Sequence, residues 1–263
     1  MDVRALRAAI TPRTRVAIPV HLYGKPTPMA EILALAHEKG FMVVEDAAQA
    51  HGARVHGRRV GTFGAAGCFS FHPSKNLAAA GDAGAIVTDD ATIARRVEQI
   101  RALGQQEPND HVAVGYNSKL DSLQARILSH KLDRLDGWNA ARRRVARVYR
   151  ETLRDVPVSF QREDPDEEHV YHLFQIRSAR RDDLRAHLKR NGVDVVVRYP
   201  VPIHLQPAFR HHGWAAGQFP VAERLAKELL CLPIRPDLTD DDVAFVSGCV
   251  RSFFEGARAV VGT

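Results

Sequence analysis

Short apolar runs alternate with helical patterns through the first half of the chain. The helical patterns are 2–9, 27–39 and 90–103. The apolar runs, which are typical of buried strands, are 15–20, 41–45, 67–71 and 83–88. This alternation predicts an α/β fold in which a mainly parallel sheet is covered by helices on both faces.

The pattern changes near residue 118. Long amphipathic patterns follow at 118–135 and 138–153, and the acidic stretch 161–168 is predicted to be a loop. The later predicted elements are shorter, with strands at 170–176 and 193–197 and helices at 181–190, 221–230 and 239–254. We therefore expect a large domain at 1–135 and a smaller α/β domain at 136–263.

Composition excludes several classes of protein. No apolar run approaches the ~20 residues of a membrane helix, and the basic residues behind the net charge of +6 are spread along the chain without a nucleic-acid-binding motif. The cysteines Cys68, Cys231 and Cys249 are too scattered for a disulfide framework or a zinc site. We expect a cytoplasmic protein that has no metal and whose positive charge suits a phosphorylated ligand.

Lys75 is the first candidate for chemistry. It lies in the turn that follows the predicted strand ending at Phe71. Ligands of open α/β sheets bind at the carboxyl ends of strands, and a lysine that is kept partly neutral there can form a Schiff base. For a single lysine, an ordinary surface position is the simpler interpretation.

Asp46 strengthens this interpretation because it also ends a predicted strand. An aspartate beside a pyridinium nitrogen keeps that ring protonated, although the same residue could simply cap a following helix. Gln49, His51 and Ser70 occur near these two strand ends in the sequence. The combination predicts a site for pyridoxal phosphate (PLP).

Longer motifs surround these candidates. They are Val20-His21-Leu22-Tyr23-Gly24, Val44-Glu45-Asp46-Ala47-Ala48-Gln49-Ala50-His51-Gly52, Phe69-Ser70-Phe71-His72-Pro73-Ser74-Lys75-Asn76-Leu77, Gly81-Asp82-Ala83-Gly84-Ala85, Gly115-Tyr116-Asn117-Ser118-Lys119-Leu120-Asp121, Tyr199-Pro200 and Leu232-Pro233. Through them the chain resembles the DegT/DnrJ/StrS family of sugar aminotransferases, over essentially its whole length. The resemblance implies the PLP-dependent fold of aspartate aminotransferase, known as fold-type I.

The resemblance also implies roles for individual residues. Lys75 would hold PLP as a Schiff base and carry the proton, Asp46 would pair with the pyridine nitrogen, and Gln49 would lie near the ring hydroxyl. Ser70 would bind the cofactor phosphate, and Asn117 would reach the phosphate of the PLP held by the other subunit of a homodimer. The donor would be an amino acid, usually glutamate, and the acceptor a nucleotide-linked keto-sugar.

Two departures from the family pattern modify these expectations. Family members begin well upstream of the position of Met1, and that part supplies a helix N-terminus for the phosphate, so the large domain is expected to be incomplete and to bind PLP weakly by itself. Lys119 stands where the family usually has arginine, which would weaken a bidentate grip on a donor carboxylate.

Two alternatives follow. One is a non-catalytic, truncated paralogue that dimerises with a full-length relative. The other is a PLP-dependent sugar dehydratase, but such relatives carry histidine at the position of Lys75.

Overall fold

The computed structural model describes residues 1–261, with side chains up to residue 256. These residues form two compact units. The first contains residues 1–140 and 164–172, and the second contains 141–163 and the chain from 173 onward. The predicted domain boundary after residue 135 stays a prediction. The first compact unit extends to residue 140 and also includes residues 164–172.

Eight α-helices and twelve strands make up the described part of the chain. The helices are α1 (Val3–Ala9), α2 (Met29–Lys39), α3 (Ala91–Arg101), α4 (Ser122–Leu132), α5 (Leu135–Thr152), α6 (Arg181–Arg190), α7 (Pro220–Glu228) and α8 (Asp240–Val261). The strands are β1 (Val16–Ala17), β2 (Met42–Asp46), β3 (Arg54–Val55), β4 (Arg58–Arg59), β5 (Ala66–Ser70), β6 (Gly84–Val87), β7 (Gln105–Glu107), β8 (Asp110–His111), β9 (Ser159–Phe160), β10 (Glu167–Glu168), β11 (Phe174–Arg177) and β12 (Leu229–Leu232).

The central sheet of the first unit has the strand order β1-β2-β5-β6. Strand β2 is parallel to β1 and β5, whereas β6 is antiparallel to β5. The predicted mainly parallel sheet is therefore present. Strand β1 is shorter than predicted because Pro19 has no amide hydrogen for the ladder, and pairing resumes only as a bridge between Val20 and Asp46.

Helix α2 covers one face of this sheet. Its apolar residues Met29, Ile32 and Leu35 are buried at helical spacing and pack with Ala17 and Val43 of the sheet. Each such side chain stabilises the fold by roughly 1.5–3 kcal/mol on full burial. The helix ends at Gly40, which adopts the left-handed conformation with φ of 70°.

The other face of the sheet is less covered. Side chains alternate across strand β2, so that Val43 and Glu45 are buried while Met42 is exposed. On the edge strand β6, Ile86 and Val87 point to opposite faces of the sheet and are both exposed. The predicted cover by helices on both faces is thus incomplete among the described residues.

Residues 164–172 differ from the predicted loop and strand. Glu167 and Glu168 form β10, which pairs with β3, and β3 pairs in turn with β4. The next residues stay in the first unit because the amide of Val170 donates to the carbonyl of Gly24 at 3.0 Å. The strand predicted from residue 170 therefore begins only at Phe174.

The second unit contains an antiparallel sheet with the order β12-β11-β9. Tyr149 stacks on Phe174 in its core, with ring centroids 5.0 Å apart. Two expectations were wrong in detail. The strand predicted at 193–197 is reduced to a bridge at Val196. The helix predicted at 221–230 ends at Glu228, and β12 begins at the next residue.

Taken over the described part of the chain, no helix is both long and apolar enough to cross a membrane.

Candidate active site

Asp46 lies at the carboxyl end of β2, between the ends of β1 and β5. Its amide donates to the carbonyl of Pro19 at 2.9 Å, and its carbonyl accepts from the amide of His21 at 3.0 Å. One carboxylate oxygen accepts from the amide of Ala48 at 3.0 Å. The backbone is therefore held on both sides while the carboxylate occupies the edge of the sheet.

Lys75 lies in the turn after β5, the strand next to β2. Its amide donates to the carbonyl of His72 at 2.9 Å, which closes the turn. Burial lowers the pKa of the Lys75 amine, and the negative charge of Asp46 opposes this effect without cancelling it. The fraction of neutral amine, the form needed for a nucleophile, is therefore higher at Lys75 than at an ordinary lysine.

The other predicted site residues are placed as follows. The Gln49 side-chain oxygen accepts from the amide of Tyr23 at 2.6 Å, and this tyrosine has an unusual positive φ of 65°. Ser70 ends β5, opposite Gly84 of β6. Asn117 is exposed and bridges to Ala102 just beyond α3, and no described contact links it to Asp46 or Lys75.

His51 packs close to the two candidates. Its ring is buried between Phe69 and Phe71, with centroid separations of 5.5 and 5.6 Å. Burial lowers the pKa of His51 to about 4, reinforced by the positive charge of Lys75 and opposed by the main chain of Ser70. This histidine is therefore neutral near pH 7, and it supports the ends of β2 and β5 mainly through packing.

Glu45 was not singled out by the sequence, although it precedes Asp46. Its side chain is fully buried and accepts from the amides of Gly61, Phe63 and Gly64 at 2.6–2.7 Å. The His21 ring lies 3.0 Å away and donates from Nε2, because its Nδ1 accepts from the amide of Thr27. The available signal was an acidic residue inside an apolar strand, which requires buried donors.

Comparison with known proteins assigns the family. The model of the DegT/DnrJ/EryC1/StrS aminotransferase family matches residues 1–251. The chain belongs to this family. The predicted resemblance is therefore confirmed.

Characterised relatives cover nearly all of the chain. It is 43% identical to a dTDP-3-amino-3,4,6-trideoxy-α-D-glucose transaminase of Streptomyces venezuelae, over 97% of this chain and 68% of the relative. It is 42% identical to a UDP-N-acetyl-3-dehydro-α-D-glucosamine 3-aminotransferase of Acidithiobacillus ferrooxidans, over 97% of this chain and 69% of the relative.

A solved structure supports the same assignment. The crystal structure of S. venezuelae DesV in complex with a ketimine intermediate superposes with a TM-score of 0.93 at 43% identity. The match covers 96% of this chain and 68% of that chain. The predicted fold, that of PLP-dependent aminotransferases, is therefore confirmed.

The residues at the two strand ends fit PLP, the cofactor of this family. An amine of lowered pKa is the nucleophile that a cofactor aldehyde requires, and Lys75 provides it. The adjacent carboxylate of Asp46 is the partner that a pyridinium nitrogen requires. The negative charge of Asp46 acts on the pKa of Lys75, as is required of two groups that serve one cofactor.

Proposed function

We propose that this protein is a PLP-dependent aminotransferase that moves an amino group from an amino acid, with glutamate as the preferred donor, to a nucleotide-linked keto-sugar. The observation that carries this proposal is the half-buried Lys75 amine, with its lowered pKa, in the field of Asp46. Family membership supports the reaction class. The non-catalytic alternative is disfavoured because both chemical groups are present and coupled.

The proposed acceptor is a sugar with its keto group at carbon 3. The names of the Streptomyces and Acidithiobacillus relatives both specify an amino or dehydro group at that carbon. A nucleotide-linked sugar carries a negatively charged diphosphate, which suits the excess positive charge of this chain.

Lys75 holds the cofactor and transfers the proton. When bound, PLP supplies an aldehyde that takes up the amino group and a ring that withdraws electrons from the reacting carbon. The lowered pKa of Lys75 increases the fraction of neutral amine, which can accept a proton from one carbon atom and return it to another.

Asp46 sets the charge of the ring. A carboxylate next to a cationic nitrogen raises the pKa of that nitrogen by about 1–3 units. The backbone of Asp46 is held by Pro19 and His21, so the carboxylate remains at the strand end. A protonated ring nitrogen makes the cofactor a stronger electron acceptor.

Hydrogen-bond donors complete the proposed cofactor site. Ser70 offers a hydroxyl for the phosphate at the end of β5, and Gln49 offers an amide group beside the ring hydroxyl. Asn117 acts on the phosphate of the cofactor in the partner subunit, so the proposed homodimer has a shared active site. Lys119 contributes positive charge for the donor carboxylate, but without the paired hydrogen bonds of an arginine.

A reverse-direction assay tests the reaction and its position. Purified protein is incubated with PLP, 2-oxoglutarate and nucleotide-linked sugars that carry an amino group at carbon 3 or carbon 4. We expect glutamate and a keto-sugar, measured by mass spectrometry, from the 3-amino sugar. Turnover of only the 4-amino sugar would contradict the proposed position, and no turnover of either would favour the non-catalytic alternative.

Subunit complementation tests the shared site. Lys75→Ala and Asn117→Ala proteins should each be inactive or weak, but a mixed dimer has one site with both native residues. Mixing after partial unfolding and refolding should therefore restore part of the activity. Activity that does not recover on mixing, in a sample shown to be dimeric, would place Asn117 in its own subunit's site.

A cytoplasmic location fits the same proposal. The cysteines Cys68, Cys231 and Cys249 are all free thiols, as is usual in a reducing compartment.

A further inference from the structure

The turn that carries Lys75 is anchored on one side only. His72, Pro73 and Ser74, which precede the lysine, are all exposed. The next residue, Asn76, is only 6% exposed. Asn76 is therefore the first buried residue after Lys75, and it holds this turn together with buried Leu77 and the amide of Ala79, which donates to the carbonyl of Phe71 at 2.8 Å.

Asn76 is held by a second buried asparagine. Its Nδ2 donates to Oδ1 of Asn139 at 3.0 Å and to the carbonyl of Val170 at 2.9 Å. Asn139, at 1% exposure, donates in turn from its own Nδ2 to the carbonyl of His51 at 2.8 Å. Nδ1 of His172 lies 3.3 Å from the Asn76 side-chain oxygen. The two carboxamides thus connect three separate segments of the first unit.

Close backbone packing leaves this arrangement little freedom. Gly52 follows His51 with φ of 83°, and a Cβ atom there would lie 2.8 Å from Nδ2 of Asn139. Gly24 has φ of 96°, and a Cβ atom there would lie 2.9 Å from Val170 and 3.1 Å from the carbonyl of Gln49. Both glycines allow the backbone to approach the asparagine pair and the segment at 169–172.

The connected segments are those that carry the chemistry. The chain from Asp46 to Gln49 leads directly into His51, and the chain from Ser70 to Lys75 leads directly into Asn76. A hydrogen-bonded path through Asn139 therefore joins the Asp46 segment to the Lys75 turn. In a buried setting such bonds are directional and costly to break.

We propose that Asn139 and Asn76 are positioning residues that set where the Lys75 amine lies relative to Asp46. This inference rests on the proposed function, because it concerns the same lysine. Asn139 acts through Asn76 and the His51 carbonyl and touches neither substrate nor cofactor. Without it the Lys75 turn can move away from the sheet, and its amine becomes more hydrated.

The test measures how the acetylation of the Lys75 amine depends on pH in the cofactor-free 263-residue chain. Trace acetic anhydride labels neutral amines, and mass spectrometry quantifies acetylated Lys75 as a function of pH. In the parent protein the labelling midpoint should lie below that of ordinary lysines. In Asn139→Leu it should rise by about one pH unit, an approximately tenfold loss of reactive amine at a fixed lower pH.

Tyr149→Phe is the matched control. It removes a buried hydrogen bond, from the Tyr149 hydroxyl to the Pro233 carbonyl at 3.0 Å, in the second unit. It should lower thermal stability to a similar extent but leave the Lys75 midpoint unchanged. Asn139→Ser provides a smaller second variant if the leucine protein does not fold.

The outcomes separate the possibilities. A raised midpoint in either folded Asn139 variant, with none in the control, supports positioning whether or not the sugar assay succeeds. An unchanged midpoint in a folded variant overturns the proposal and leaves Asn139 a structural role alone. If neither variant folds, the pair is required for folding and the proposal also fails.

Discussion

Two carboxylates that are adjacent in the sequence occupy opposite environments. Glu45 faces the interior, is fully buried and accepts hydrogen bonds from three backbone amides and the His21 ring. Asp46, one residue later, projects to the other side of β2 at its carboxyl end and interacts with the Lys75 charge. Alternation along the strand is sufficient to separate them.

The comparison distinguishes a structural carboxylate from a chemical one. The acceptor capacity of Glu45 is used by four donors of its own chain, so none remains for a ligand. Asp46 uses one side-chain oxygen for the Ala48 amide and keeps its charge at the sheet edge. The extent of internal hydrogen bonding, rather than the residue type, therefore indicates which of the two can act on a cofactor.

Among the residues of the proposed cofactor site, replacement of Lys75 should have the largest effect on activity. Lys75→Ala should abolish the absorbance of lysine-bound PLP and all transamination, because Lys75 is the amine that interacts with Asp46. The fold should remain intact, as judged by circular dichroism and thermal unfolding. The exposed Lys39→Ala variant is the control, and retained cofactor absorbance in Lys75→Ala would contradict the assignment.

Of the two adjacent carboxylates, replacement of Glu45 should have the larger effect on stability. Glu45→Ala leaves four donors, two of them buried and two partly buried, without an acceptor, so the free energy of unfolding should fall by about 3–5 kcal/mol. Urea unfolding measures this loss. Glu38→Ala, which removes exposed ion pairs with Arg7 and Lys39, should change stability little. Equal effects of the two variants would show that the Glu45 hydrogen bonds are not important for stability.

Asp46→Asn should reduce activity strongly and stability weakly. Loss of the carboxylate lowers the protonated fraction of the ring nitrogen by about tenfold to a thousandfold, whereas asparagine accepts the Ala48 amide as well as aspartate does. The measurements are kcat for the sugar reaction and the thermal unfolding midpoint. Asp90→Asn, a cap exchange at α3, is the control, and near-parental turnover of Asp46→Asn would reduce Asp46 to a cap.

Acid should destabilise the protein in two successive pH ranges, first through His51 and then through Glu45. Neutral His51, with its pKa lowered to about 4, loses its contribution of up to about 3 kcal/mol as pH falls from 6.5 toward 4. Glu45 follows at lower pH. Burial raises the pKa of this carboxyl, but the hydrogen bonds from His21, Gly64 and Gly61 together lower it by more, so its pKa lies below the usual value. Its contribution to stability is therefore lost as pH falls below 4.5. In both cases the unfolded chain binds the proton first.

Matched variants separate the two windows of pH. His51→Phe should flatten the pH dependence of the unfolding midpoint between pH 6.5 and 4.5 and leave the decline below pH 4.5. The exposed His37→Phe variant should change neither window. An unaltered slope above pH 4.5 in His51→Phe would show that the histidine is not buried in its neutral form.

Local sequence was sufficient for the main elements of the fold. Helix α6 has the predicted bounds of 181–190, and α3 (Ala91–Arg101) lies within the helical pattern predicted at 90–103. Local patterns were insufficient where pairing depends on distant partners. The strand at Leu229–Leu232 forms because β11 offers a free edge, and Glu167–Glu168 forms a strand because β3 does.

The sequence by itself determined the family, the strand ends that carry Asp46 and Lys75, and the cofactor, because these depend on motifs and short-range periodicity. Only the tertiary structure decided which polar residues are buried and what they hold. Asn139 lies at a position of α5 on the same face as buried Leu135, where an apolar residue would be expected from periodicity. Its partners, Asn76 and the His51 carbonyl, are 63 and 88 residues away in the chain. A hydrogen bond between residues so far apart leaves no local sequence pattern, because its donor and acceptor meet only when distant segments pack together in the folded chain.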